Sequence, residues 1–101
     1  MNPNIILSLP AVLVDFYRRQ EVIVLDVRRP SEFIQAHIDQ ACNIPYEDIP
    51  LFLNEIRAWE KAVITCSANG FRAERAADFL NSQNIPAVNG GQWQKLRELL
   101  L

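Results

Sequence analysis

Two continuous apolar, largely β-branched runs constrain this chain more than anything else in it. They are Val22-Ile23-Val24-Leu25-Asp26-Val27 and, further on, Val63-Ile64-Thr65-Cys66. A strand with one wet face alternates apolar and polar residues. Runs without that alternation suit parallel strands covered on both faces. Helical spacing surrounds them. Val12, Leu13, Phe16 and Tyr17 predict a helix over 9–20 with Ser8 as its N-cap. Arg29-Pro30-Ser31-Glu32 predicts a turn that opens a short helix over 32–36. Residues 41–44 read as a short extended segment stopped by Pro45. Residues 49–59 form an amphipathic segment with Phe52, Leu53 and Ile56 on one side, and 61–66 the second strong strand. A helix over 72–83 turns Ala76, Ala77, Phe79 and Leu80 inward. A brief strand at 87–89, a Gly90-Gly91 turn and a helix over 92–100 follow. This alternation predicts an α/β fold, a central and mostly parallel sheet with helices on both faces. With 101 residues there is enough chain for one core, so residues 1–101 are expected to form a single domain.

The chemistry concentrates at Cys66-Ser67-Ala68-Asn69-Gly70-Phe71-Arg72. A thiol between the end of a strand and the start of a helix meets unpaired backbone N–H groups and the positive end of the helix dipole. Such surroundings lower a thiol's pKa and make its thiolate a nucleophile. Cys66 is therefore the expected catalytic residue. Ser67, Ala68, Asn69, Gly70, Phe71 and Arg72 are the expected anion cradle, with Arg72 gripping oxygens through its guanidinium fork. In parallel sheets ligands sit beyond the carboxyl ends of the strands, which brings Asp26 and Arg28 close as supporting residues. Arg28 either adds positive potential there or pairs structurally with Asp26. The bland alternative for Cys66 is a small hydrophobe in the core.

Charge and composition exclude several classes. A formal net charge of −2 and no lysine or arginine run argue against nucleic acid or a membrane surface as partner. No apolar run approaches the ~20 residues of a membrane span. The start, Met1-Asn2-Pro3-Asn4-Ile5-Ile6-Leu7-Ser8, lacks the pattern of a signal peptide. Cys42 and Cys66 are the only cysteines and His37 the only histidine, so neither a zinc site nor a disulfide framework is expected. No metal and no organic cofactor are expected, and a reducing cytoplasm fits best. Cys42 reads as a packing residue or as a thiol that resolves an adduct on Cys66. Glu32 and His37 read as braces of the segment after the first strand. Trp59 and Trp93 read as covers of helix–sheet packing, with a pocket rim as the alternative for Trp93. Arg18-Arg19 reads as a solvated helix end, and Arg72 with Arg75 forms the other local basic pair.

Leu25-Asp26-Val27-Arg28, Glu32-Phe33, His37-Ile38 and Ala41-Cys42-Asn43-Ile44-Pro45 resemble the first half of rhodanese-like domains. The Cys66 loop, Arg72-Ala73, Ala76-Ala77 and Asn89-Gly90-Gly91 with Trp93 resemble the second half. The resemblance implies a sulfurtransferase that carries sulfur as a persulfide on cysteine. Its partners would be a small sulfur-donor anion such as thiosulfate and a thiophilic acceptor, a small molecule or a protein thiol; oligomeric state stays open. The single-domain members usually show Cys-x-x-Gly-x-Arg-Ser, six residues from cysteine to arginine, whereas Cys66 to Arg72 spans seven and Ala73 replaces the serine. Ala36 and Gln40 also stand where the family often has glycine. The longer spacing matches phosphatase and arsenate-reductase relatives of the fold, which gives a second reading. A non-catalytic regulatory module is a third.

Overall fold

The computed structural model describes residues 10–101, so the expected Ser8 cap lies outside the described residues. Helix α1 (Pro10–Arg18) leads into β1 (Val22–Asp26), α2 (Pro30–Gln35) and β2 (Cys42–Asn43). A 3₁₀ segment (Tyr46–Phe52) then runs into α3 (Leu53–Ala58). Strand β3 (Ala62–Ser67), α4 (Phe71–Ser82), β4 (Ala87–Gln92) and α5 (Trp93–Leu100) complete the order. The described strands form one sheet in the order β2-β1-β3-β4, and all three pairings are parallel. The expected α/β architecture is present.

The β-branched runs occupy the two central strands, where both faces are covered. Val22 and Val24 of β1 and Ile64 and Cys66 of β3 pack with Leu13 of α1 and Trp93, Leu96 and Leu100 of α5. Leu25 and Val63 point to the other face, against Ile56 of α3 and Ala76, Ala77 and Leu80 of α4. Successive residues of a strand face opposite sides, so this division assigns every side chain of β3 to one layer. No helix among the described residues is long and apolar enough to cross a membrane.

Three local expectations need correction. Pro50 lacks the amide that an α-helix would use at its position, and the segment it occupies is a 3₁₀ helix; Phe52 is partly exposed rather than turned inward. Gly90 and Gly91 continue β4 instead of forming a turn. Thr65 pairs with Asn89 but Ser67 with Gln92, so β4 carries one extra residue as a bulge. A Cβ on Gly90 would lie 2.6 Å from the Thr65 carbonyl oxygen and 2.8 Å from Ile64 Cγ2, so only glycine lets β4 run this close. Finally, β3 extends through Ser67. This last difference relocates the site.

Candidate functional site

Ser67 forms the end of β3, and the loop from it to Arg72 is six residues long. Its side chain is 2% exposed and its hydroxyl oxygen accepts the amides of Gly70 at 3.0 Å and Ala73 at 3.2 Å. Asn69 Oδ1 accepts the amide of Phe71 at 3.0 Å. Three amides at the start of α4 are thus engaged by the loop's own side chains, the usual means of satisfying a helix N-terminus. They are not free to cradle an anion as expected. The amides of Ala68 and Asn69 have no partner among the described residues. Gly70 takes a φ of +90°, where a side chain is strained, and so turns the chain into the helix.

Cys66 stands elsewhere. It is 0% exposed, two residues beyond Ile64 on the same face of the sheet, and belongs to the core with Leu13 and Val24. Burial pushes its thiol well above the ordinary range; Asp26 adds to the rise and Arg28 opposes it. The expectation of a lowered pKa is overturned because the helix start addresses Ser67, the next residue, while Cys66 faces apolar side chains. A six-residue loop that ends at Arg72 and has Gly70 fourth begins at Ser67, not at Cys66. The apparent seven-residue loop was one strand residue plus a six-residue loop, and the basis of the phosphatase and arsenate-reductase comparison goes with it.

A cavity of about 370 Å³ opens over the loop. Ser67, Ala68, Asn69, Phe71 and Arg72 of the loop line it, and Arg28, Arg75 and Glu32 complete the lining. Arg72 is half-exposed with its guanidinium 3.9 Å from the Glu47 carboxylate. Arg75 has no carboxylate partner among the described residues. Glu32 and Arg75 were not foreseen as lining. The signal available for Arg75 was its place one turn after Arg72 on the same helix.

Asp26 and Arg28 are brought together as a structural pair. The Asp26 carboxylate, fully buried, accepts the backbone amide, Nε and Nη2 of Arg28 at 2.8–3.0 Å. Arg28 also donates to the Ala36 carbonyl at 2.8 Å and lies 4.2 Å from the centre of the Trp93 ring. Trp93 is therefore buried beneath Arg28 and does not form a rim. Asn43 Nδ2 donates to the carbonyls of Asp26 and Arg28 and clamps the strand end.

Cys42 pairs in register with Leu25 on the far side of β1 from Cys66 and packs in the opposite core layer. Two inter-strand spacings put the Cα atoms roughly 10 Å apart, beyond the reach of a disulfide. The resolving role is overturned, and both cysteines are free thiols. His37 Nδ1 donates to the Phe33 carbonyl at 2.7 Å and the imidazole stacks on the Phe33 ring, a brace within its own segment. Trp59 packs, half-buried, against the layer under α4.

A family model described as Rhodanese-like domain matches residues 9–95. Over 72 residues the chain is 41% identical to the Uncharacterized protein YqhL of Bacillus subtilis, covering 71% of this chain and 55% of that one. Over 69 residues it is 32% identical to a protein of Allochromatium vinosum named Sulfurtransferase, covering 68% of this chain and 64% of that one. The matches thus span less than two thirds of either relative. A crystal structure of a rhodanese-like domain protein from Staphylococcus aureus superposes with a TM-score of 0.73 at 25% identity, covering 87% of this chain and 86% of the other.

Proposed function

The chain belongs to the rhodanese-like domain family, and from that premise we propose that it is a module that binds a small anionic group over loop 67–72 without carrying sulfur on a thiol. One observation carries the reading: Ser67, which bears a hydroxyl, lines the cavity, while Cys66 does not line it and is sealed in the core. Sulfur transfer through a persulfide needs a thiolate that reaches the donor. Ser67 offers no thiol, and burial keeps the Cys66 proton in place. What remains at the site is recognition. The free amides of Ala68 and Asn69 and the guanidinium groups of Arg72 and Arg75 supply donors to an oxyanion. The partner in this reading is a small molecule.

A second reading is sulfur transfer through Cys66, favoured by the relative named Sulfurtransferase. It requires the end of β3 to open, breaking the hydrogen bond that the Val27 amide donates to the Cys66 carbonyl at 3.0 Å. Intact mass after incubation with thiosulfate separates the two. The first expects no added sulfur and no thiocyanate when cyanide follows, and it expects Ser67→Cys to gain both. A reducible sulfur adduct on Cys66 of the unmodified chain would establish the second and overturn the first.

A further inference from the structure

A second cavity, of about 390 Å³, lies at the opposite end of the sheet from loop 67–72. It opens where α3 gives way to β3 and where α4 gives way to β4. Ile56 and Ile85 line it although they are only 1% and 4% exposed, so it reaches the core layer that they share. Pro86 adds a third apolar surface. The volume falls within the roughly 300–1,000 Å³ of pockets that hold organic ligands, and covering apolar surface of this kind is favourable.

Arg57, Glu60 and Lys61 supply the charge. Arg57 donates to the Gln83 carbonyl at 3.2 Å and so closes the C-terminal end of α4. Glu60 and Lys61 have no ion-pair partner among the described residues. The lining thus offers one uncompensated carboxylate and one uncompensated ammonium, on neighbouring residues, beside an apolar surface. Glu60 has a φ of +52° and Asn84 a φ of +62°, so two of the four described non-glycine residues with positive φ line this one cavity. Asparagine tolerates that region, whereas glutamate occupies it at a cost that glycine would avoid. A carboxylate stands here against the preference of its own backbone.

We propose that this cavity binds a small zwitterion with an apolar body, an α-amino acid with a branched aliphatic side chain. The ligand's ammonium meets Glu60, its carboxylate meets Lys61, and its side chain covers Ile56, Ile85 and Pro86. A ligand with both charges on one carbon suits opposite charges on adjacent residues, whose Cα atoms lie about 3.8 Å apart. Exposed charges are screened by water and contribute little singly. The apolar body therefore supplies most of the affinity, and the two charges supply the selection.

Titration of the whole chain with L-leucine, followed through backbone amide NMR shifts, tests it against three analogues. Glycine lacks the apolar body, 3-methylbutylamine the carboxylate and 4-methylpentanoate the ammonium. Leucine is expected to shift the amides of Lys61, Ala62, Asn84 and Ile85 and to bind about tenfold more tightly than glycine. It is expected to bind roughly two- to fivefold more tightly than either singly charged analogue. Lys61→Gln, at an exposed position, is expected to bring 3-methylbutylamine level with leucine. Glu60→Gln, also exposed, is expected to do the same for 4-methylpentanoate. Glycine or a singly charged analogue binding as tightly as leucine, a selection that survives both substitutions, shifts confined to residues outside this cavity, or no binding would each overturn the proposal. None of these results touches the reading of loop 67–72.

Discussion

The carboxyl ends of β1 and β3 lie side by side, Asp26 in register with Cys66, yet they are built on opposite terms. At the end of β1 a carboxylate and a guanidinium are almost wholly buried and bonded to one another through Nε and Nη2 of Arg28. At the end of β3 the arginines stay in solvent, one loosely beside Glu47 and one without a carboxylate partner. Charge buried with its partner holds the framework; charge left partly exposed is available to a ligand. In the anion-binding reading proposed above, the two ends divide stability and recognition between them.

Substitutions that move a residue's effect from one side of this division to the other would break the comparison. Asp26→Ala has the largest expected effect, because it leaves Arg28 charged, buried and without its carboxylate. Breaking such a pair costs about 3–5 kcal/mol, a large part of the ~5–15 kcal/mol that holds a domain folded, and urea unfolding measures it.

Cys66→Ser comes next. It places a hydroxyl among Leu13, Val24 and Ile64 and should cost about 1–3 kcal/mol, again read by urea. The same thiol sets an alkaline limit. Its folded pKa lies above the ordinary 9.0, so folding favours the neutral form. That contribution is complete below pH 9 and declines as the pH rises further, since the unfolded chain then loses the proton more readily. Cys66→Ala should remove this share of the alkaline loss of stability, which unfolding curves between pH 8 and 10 would register.

The smallest effect on stability belongs to Arg72→Ala. An exposed pair at 3.9 Å contributes at most about 1 kcal/mol, so unfolding should barely change while affinity for a small oxyanion such as sulfate falls severalfold. A large loss of stability with unchanged affinity would reverse the roles assigned to the two strand ends.

The sheet was legible because the runs at Val22 and Val63 admit no other placement than central strands, and the helices because their apolar spacing is regular. The base of the site was not, for a reason specific to β3. Val63-Ile64-Thr65-Cys66 lacks alternation, since both faces of the strand are buried, and so nothing in the run marks which side Cys66 takes. A shift of one residue reverses every side chain. Here it separates a core thiol from a hydroxyl facing the cavity. The six-residue spacing of Gly70 and Arg72 was the one sequence signal that pointed to Ser67. The Asp26–Arg28 pair was open between two readings because proximity to a loop does not say whether a charge is covered. Gly90-Gly91 read as a turn because glycine pairs commonly make turns. Its use as a bulge depends on how near Thr65 and Ile64 come, a distance only the packed sheet determines.

Arg28 lies between the cavity and the indole of Trp93, 4.2 Å from the ring centre. The excited state of an indole responds to nearby charge, so a ligand that drew on the Arg28 guanidinium from the cavity side would be expected to alter Trp93 emission. The other tryptophan, Trp59, packs in the opposite layer of the core, away from that charge. Arg97 lies over the same ring at 6.0 Å, so Trp93 sits between two guanidinium groups, of which only Arg28 reaches the cavity lining.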